Sequence, residues 1–375
     1  KASMLRMKTR LTDADFMRVA IGLARRGHGN VSPNPSVGCV IVNDDTIVGR
    51  GWTQPGGRPH AETEALRRAG QSARGATAYV TLEPCAHQGE TPPCAGALIT
   101  AGISRVVIGT RDPDPRVDGG GVSMLTSAGI EVCEDVCADE AADVAEGFLT
   151  RIRHGRPLVT VKTATSLDGR IATARGQSQW LTGAMSRALG HGMRARNDAI
   201  LIGSRTAIAD NPSLTCRLPG LEAASPIRVV VDGRNELPLT HNLVATAEQT
   251  PTWILTRPDS DPVRRRSYED AGVRMIDIAV DTEGNLDLAA ALKALGDLGV
   301  TRLMVEGGGR IIAGLLHSDL VDRLVWFRSA KLIGGDGVSA VAGFGVRELD
   351  GAANFVKVSS RSAGTDIVET FVRER

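Results

Sequence analysis

The sequence predicts an α/β protein built from two domains in tandem. Three observations carry that expectation. The chain has 375 residues, more than one hydrophobic core usually accommodates. Apolar runs of strand length alternate with segments whose apolar residues recur at helical spacing, the pattern of a layered α/β sheet. After the basic helix end RIRHGRP (151–157) the alternation restarts, which predicts a linker there and domains over 10–150 and 156–375.

In the first domain, Phe16, Val19, Ala20 and Leu23 fall at helical spacing, with Thr12 suited to N-cap the helix and Asp15 in its first turn. SVGCVIV (36–42) and TIVGRGW (46–52), joined by Asn-Asp-Asp, read as a hairpin. HAETEALRRAG (60–70) is a short amphipathic helix stopped at Gly70. ATAYVTLEPC (76–85) reads as a buried strand, PCAGALITAG (93–102) as a helix and ISRVVIGTRDP (103–113) as a strand. GVSMLTSAGIEVCEDV (121–136) adds a helix and an edge strand, and DEAADVAEGFLTRIRH (139–154) a closing helix.

In the second domain the expected strands are 158–166, 199–204, 226–233, 252–257, 273–279, 302–306 and 324–335, with helices over 185–198 and 288–300. No sequence repeat links the two halves.

Bulk composition excludes several functions. Hydrophobic residues make up 42% and charged residues 23%, far from the balance of disordered chains. With 44 basic against 43 acidic residues the formal charge is +1, without the basic footprint of a nucleic-acid binder. No apolar run approaches the ~18 residues that span a bilayer, and KASMLRMKTRLTDADF lacks the apolar stretch of a secretory signal. A cytoplasmic protein acting on a small molecule is expected. Its six cysteines (39, 85, 94, 133, 137 and 216) are then core filler, metal ligands or reactive thiols rather than a disulfide framework.

His60-Ala61-Glu62, Pro84-Cys85 and Cys94 carry the strongest chemical signal. One imidazole and two thiolates give zinc three protein ligands and leave a fourth position for water, the arrangement of a catalytic site. Zinc lowers the pKa of that water towards ~7, and a carboxylate two residues past the histidine is placed to shuttle its proton to a departing amine. His-x-Glu with Pro-Cys and a later cysteine is the zinc-deaminase signature, although the second half there is Cys-x-x-Cys. Here eight residues separate Cys85 from Cys94. His87 is either a further ligand or a residue that meets substrate or fixes its loop, and we favour the latter.

The second half is less explicit. In MVEGGGR (304–310) three glycines follow a buried strand, which suits either close approach of backbone amides to a phosphate or a plain strand-to-helix turn. The spacing is not G-x-G-x-x-G. Lys162 follows residues of a buried strand and either has a charged partner or marks an exposed strand end.

Across PNPSVGCVIV (33–42), PHAETEAL (59–66), TLEPCAHQGETPPC (81–94), DPDPRVDGGGV (112–122), VKTATSLDGRIA (161–172), SQWLT (178–182), DAILIGSRTAIADNPSLTCR (198–217) and VEGGG (305–309), the sequence resembles the bifunctional riboflavin-biosynthesis deaminase/reductase family. That family has the eight-residue spacer, so the long gap separates it from general cytidine deaminases. The resemblance implies a cytidine-deaminase-like three-layer α/β domain followed by a dihydrofolate-reductase-like α/β domain. It places Zn²⁺ on His60, Cys85 and Cys94, the proton shuttle on Glu62 and substrate contacts on Asn34 and His87. In the second domain it places NADPH along Ala164, Trp180, Thr206, Asp210 and Gly307, Gly308 and Gly309, and the phosphorylated pyrimidine substrate on Ser178, Arg194, Leu214, Arg217 and Glu306, with Lys162 catalytic.

Two positions depart from the family pattern: Thr53 stands where a histidine is usual, and Glu90 where a basic residue is usual. Both bear on how the substrate's phosphate is held. The implied activity is removal of the 2-amino group from a phosphoribosylamino-pyrimidinone, then NADPH-dependent reduction of ribosyl to ribityl. Family members form dimers or larger assemblies, so a homo-oligomer is expected. A nucleic-acid deaminase is disfavoured by the near-neutral charge. A non-catalytic binding module would lack Glu62 or a ligand, and none is missing.

Overall fold

The structure is a computed structural model that describes residues 11–86, 92–115 and 117–374. The chain divides into two units, Lys1–His154 and Gly155–Arg375. Among the described residues no helix is long and apolar enough to cross a membrane.

Thr12 caps the first helix, α1 (Asp13–Ala24), in a capping box. Its hydroxyl accepts from the Asp15 N–H, and the Asp15 carboxylate accepts from the Thr12 N–H at 2.8 Å. There follow β1 (Gly38–Asn43), β2 (Thr46–Trp52), α2 (Ala61–Ala69), β3 (Thr77–Leu82), α3 (Cys94–Thr100), β4 (Arg105–Thr110), α4 (Gly120–Ser127), β5 (Glu131–Cys133) and α5 (Ala138–His154). They form a five-stranded sheet in the order β2-β1-β3-β4-β5. The alternation of β1 sorts its side chains between two cores. Cys39 and Ile41 pack with Ala61, Ala65, Ala95 and Leu98 of α2 and α3, whereas Val40 and Val42 pack with Phe16, Met17 and Ala20 of α1. Gly51 lets α2 seat directly on β2, since a Cβ there would lie 2.1 Å from the Ala61 carbonyl oxygen. The first turn of α2, with Glu62, is thereby pressed against the sheet.

The second unit contains β6 (Leu158–Thr165), β7 (Arg170–Ala172), α6 (Ala184–Arg194), β8 (Ala199–Gly203), α7 (Ser204–Asp210), β9 (Ile227–Val231), α8 (Asn242–Ala245), β10 (Thr252–Thr256), α9 (Pro262–Asp270), β11 (Arg274–Asp277), α10 (Leu288–Asp297), β12 (Arg302–Glu306), α11 (Gly309–His317), β13 (Arg323–Arg328), β14 (Val338–Ser339), β15 (Phe355–Ala363) and β16 (Asp366–Arg373). Its nine-stranded sheet runs β11-β10-β9-β8-β12-β6-β13-β16-β15, parallel except for the β13/β16 and β16/β15 pairings.

Late in sequence, β12 inserts between β6 and β8, which brings residues near positions 162, 203 and 306 to one end of the sheet. Buried carboxylates tie the strand starts together, Asp198 those of β8 and β12 and Asp322 those of β6 and β13. The Asp198 carboxylate accepts from the Thr301 N–H and hydroxyl at 2.7 Å and from the Arg302 N–H at 2.9 Å. The Asp322 carboxylate takes both Arg156 nitrogens, at 2.7 and 2.9 Å, and the Val159 N–H at 2.8 Å.

Some expectations need correcting. The strand expected at 324–335 ends at Arg328, because the Gly334 N–H, 2.7 Å from the Asp168 carboxylate, and the Ile333 N–H are captured by that side chain instead of a ladder. The hairpin of β15 and β16 was not foreseen. Most of β15, FVKVSSRSA, is exposed and polar, so it lacks the apolar run by which a strand is read. The helix α7 was also missed, because it follows β8 with no intervening turn residue.

Arg228 on β9 is 1% exposed. Its guanidinium donates to the Thr250 carbonyl at 2.6 Å, the Thr246 carbonyl at 3.0 Å and the Thr246 hydroxyl at 2.8 Å. Burial holds its pKa down at about 10. Because Arg228→Met strands these acceptors in the core, it is expected to lower stability by about 2–4 kcal/mol, read as a lower denaturation midpoint at unchanged m-value.

Candidate active sites

His60 is the N-cap of α2, Cys85 lies three residues past β3 and Cys94 opens α3, so two helix starts and a strand end converge. His60 Nδ1 lies 3.3 Å from Cys94 Sγ and 3.8 Å from Cys85 Sγ, and the three donor atoms all lie within 4.8 Å of one another. A tetrahedral zinc with Zn–N of ~2.05 Å and Zn–S of ~2.3 Å sets neighbouring donors about 3.6 Å apart, so this donor set fits zinc in both chemistry and spacing. The Cys94 N–H donates to Cys85 Sγ at 3.3 Å, which favours a thiolate. Hydrogen bonds, chiefly from Cys94, hold Cys85 down at about 4 despite burial. Glu62 is buried, and burial, with the Cys85 charge adding to it, pushes its carboxyl up to about 7.

Around this centre Asn34 donates to the Gly57 carbonyl at 3.1 Å, tying the PNPS loop to the segment that leads into His60. Thr53 is 2% exposed. Its hydroxyl donates to the Pro35 carbonyl and accepts from the Val37 N–H, both at 3.0 Å. Thr53 therefore clasps the Asn34 loop, and its polar capacity is used there. His87 and Glu90 lie outside the described residues.

Sequence reasoning missed Glu83. Its buried carboxylate accepts from the N–H groups of Gly119, Gly121 and Val122, at 3.2, 3.0 and 3.1 Å, and ties the start of α4 to the strand that leads to Cys85. The only sequence signal was its place beside Pro84-Cys85.

In the second unit, pairing of β12 with β6 sets Glu306 opposite Lys162. Lys162 Nζ is 3.1 Å from Glu306 Oε1, and Arg194 Nε, at the end of α6, is 3.0 Å from Oε2. Lys162 thus has its charged partner and is no exposed strand end. Burial alone would raise the Glu306 carboxyl, but the Lys162 and Arg194 charges outweigh it and hold it at about 2. Arg194 also donates to the Thr215 carbonyl at 3.0 Å, two residues before Arg217. Leu214 is 4% exposed at φ +55 and packs in the core with Ile200 and Val230, so its side chain is closed off from any ligand.

The expected cofactor residues fall into three groups. Gly307 and Gly308, at φ +91 and +87, abut Thr206: Cβ atoms there would lie 3.4 Å from Thr206 Cγ2 and 3.5 Å from Thr206 Oγ1. The helix α11 begins at Gly309, so this loop presents backbone N–H groups as a phosphate cradle does. Ala164 lies on β6 and Asp210 ends α7. Ser178 and Trp180 lie in an exposed segment. The Trp180 ring is stacked by the Arg187 guanidinium at 4.6 Å, and its carbonyl accepts from Lys331 at 2.7 Å. No contact joins Ser178 or Trp180 directly to Glu306 among the described residues.

A three-donor zinc set with a buried carboxylate in one unit, and a glycine loop at the crossover of a parallel sheet in the other, define a zinc-dependent deaminase joined to a nucleotide-cofactor reductase. Residues 11–110 match the model of the cytidine and deoxycytidylate deaminase zinc-binding region, and residues 157–369 that of the RibD C-terminal domain. The chain belongs to the RibD family of riboflavin biosynthesis proteins.

It is 39% identical to the riboflavin biosynthesis protein RibD of Aquifex aeolicus over 96% of this chain and 98% of the relative. Identity to the Escherichia coli protein of the same name is 40%, over 95% and 98%. Among solved structures, RibD of Acinetobacter baumannii (36% identity, TM-score 0.86) covers 96% of this chain and 99% of its own. A deaminase/reductase from Thermotoga maritima (34%, TM-score 0.84) covers 96% and 98%.

Two outcomes follow from these geometries. Cys85→Ala removes one of three zinc donors and is expected to take bound zinc from about one per chain to near zero by elemental analysis. Glu306, held at about 2 against ~4.3 when unfolded, contributes stability fully present above pH ~4.3 and lost as pH falls through about 2. The thermal midpoint of the native chain should therefore exceed that of Glu306→Gln at pH 6, with the gap closing towards pH 2 in calorimetry.

Proposed function

We propose that the first domain hydrolyses 2,5-diamino-6-(5-phosphoribosylamino)pyrimidin-4-one and that the second reduces the deaminated product with NADPH, two consecutive steps in one chain. The Thermotoga maritima relative is described as a diaminohydroxyphosphoribosylaminopyrimidine deaminase and 5-amino-6-(5-phosphoribosylamino)uracil reductase, which supplies the substrate. The observation that carries the reading is Glu62, buried beside the His60-Cys85-Cys94 set.

Zinc on those donors supplies the field that makes water nucleophilic at neutral pH. Water adds to the amino-bearing ring carbon, the C–N bond breaks, and ammonia leaves as a carbonyl forms. A buried carboxylate beside the metal donors is placed to pass a proton both ways, so Glu62 would take the water's proton and deliver it to the departing amine. Asn34 and His87 are the proposed substrate contacts.

In the second domain NADPH, along Ala164, Trp180, Thr206, Asp210 and the Gly307–Gly309 loop, supplies the hydride. The acceptor is C1′ of the opened ribose, and the accompanying proton goes to the nitrogen attached to it. Lys162, braced by Glu306, is the proposed proton donor. Arg194 and Arg217 hold the phosphate by charge-assisted hydrogen bonds, with Ser178, Glu306 and the Leu214 main chain completing the pocket. The reading places the enzyme in the cytoplasm, where NADPH is available, as a homo-oligomer.

Glu62→Gln is expected to slow ammonia release by about 10²–10⁴-fold while reduction of the deaminated intermediate, followed by NADPH absorbance, proceeds at the native rate. Undiminished ammonia release by that variant would sink the assigned role.

A further inference from the structure

His191 lies on α6, one turn before Arg194, and is half-buried. The edges of its ring meet two partners. Nδ1 is 3.2 Å from the Thr215 carbonyl oxygen and also 3.2 Å from the Arg217 backbone nitrogen, while Nε2 is 3.4 Å from Arg217 Nη2. A guanidinium only donates, so Nε2 meets it favourably only as an acceptor. With the proton on Nδ1, donated to Thr215, two of the three contacts are favourable and the Arg217 backbone N–H is the one left over; with it on Nε2 only that N–H is served. Protonating Nε2 would set two donors face to face and add a like charge.

The groups around the ring agree with a neutral state. Burial first, and then the Arg194 and Arg217 charges, lower the His191 pKa; the Thr215 carbonyl and Glu306 pull the other way and do not prevail. The Thr215 carbonyl also accepts from Arg194, so one carbonyl and one imidazole link both arginines that the proposed function assigns to the phosphate. Arg217 itself is exposed. A long side chain already held in place has less rotamer freedom to lose when a ligand binds.

We infer that His191 is a positioning residue of the reductase site: as a neutral acceptor it holds the Arg217 guanidinium ready for the substrate's phosphate. The inference rests on the proposed role of Arg217, so its test separates the two. Steady-state NADPH oxidation by the full chain is measured with 5-amino-6-(5-phosphoribosylamino)uracil and with its dephosphorylated form.

Arg217→Ala should raise KM for the phosphorylated substrate by about tenfold or more and spare the dephosphorylated one. His191→Asn places an amide at Nδ1 but does not reach the Arg217 guanidinium; it should raise KM for the phosphorylated substrate about fivefold, with kcat within about twofold of native. His191→Gln, whose side-chain oxygen reaches the place of Nε2, should restore KM to within about twofold.

An unchanged KM in His191→Asn alongside a raised KM in Arg217→Ala overturns the inference and leaves the parent reading standing. So does an equal loss of kcat and thermal stability in both His191 variants with both substrates, which marks a merely structural ring. If Arg217→Ala leaves KM for the phosphorylated substrate unchanged, the assignment of Arg217 fails and the positioning role fails with it.

Discussion

A buried carboxylate between two cations organises the second half of the molecule. Glu306 accepts from Lys162 on one oxygen and Arg194 on the other, and each group alone would be costly to hold away from water. Together they carry two positive charges and one negative, so the cluster keeps a net positive charge where an anionic substrate is expected. The triad exists because β12 inserts between β6 and β8. Shifting β12 by one residue against β6 would turn Glu306 to the opposite face. The clamp of Asp198 at the other end of β12 resists that slip. Sheet register and active-site charge are in this sense one constraint.

In the first half the corresponding work is done by element ends. Helix starts place His60 and Cys94, and the end of β3 leads to Cys85, so each donor is fixed by backbone geometry rather than by a long side chain. The same packing that seats α2 on Gly51 dehydrates Glu62. Desolvation moves its carboxyl towards neutrality. Metal placement and proton affinity thus come from the same helix turn.

Legibility in the sequence followed locality. The Thr12 cap, the strands flanking the turn at Asp44 and Asp45, and the His60, Glu62, Cys85 and Cys94 pattern are encoded within a few residues of one another or in chemically rare residue types. The family resemblance extended that reading to the reductase residues, several of which the fold brings together: Lys162 with Glu306 and Arg194, and Thr206 with Gly307 and Gly308. What stayed hidden depends on distant partners. Glu83 looks like any strand-end carboxylate until α4 folds over it. His191 is a lone helix histidine until residues 215–217 pass beside it. Thr53 reads only as a departure from the family pattern until its hydroxyl is seen to close a loop 16 residues away. Most of β15 is exposed and polar, so its pairing with β16 leaves little mark in composition, although Val368 and Ala363 anchor the hairpin against Phe327.

The spacing between the two cysteines has a further consequence. Cys85 and Cys94 are joined by a direct bond from the Cys94 N–H to Cys85 Sγ and by another from the Ala95 N–H to the Cys85 carbonyl. Those bonds close a ring of backbone around whatever lies between the two ligands. Because the ends are locked to each other, the cost of lengthening that ring grows only slowly with residue number. Such an architecture lets the end of a strand and the start of a helix, rather than the number of residues between them, set where the two sulfur donors stand.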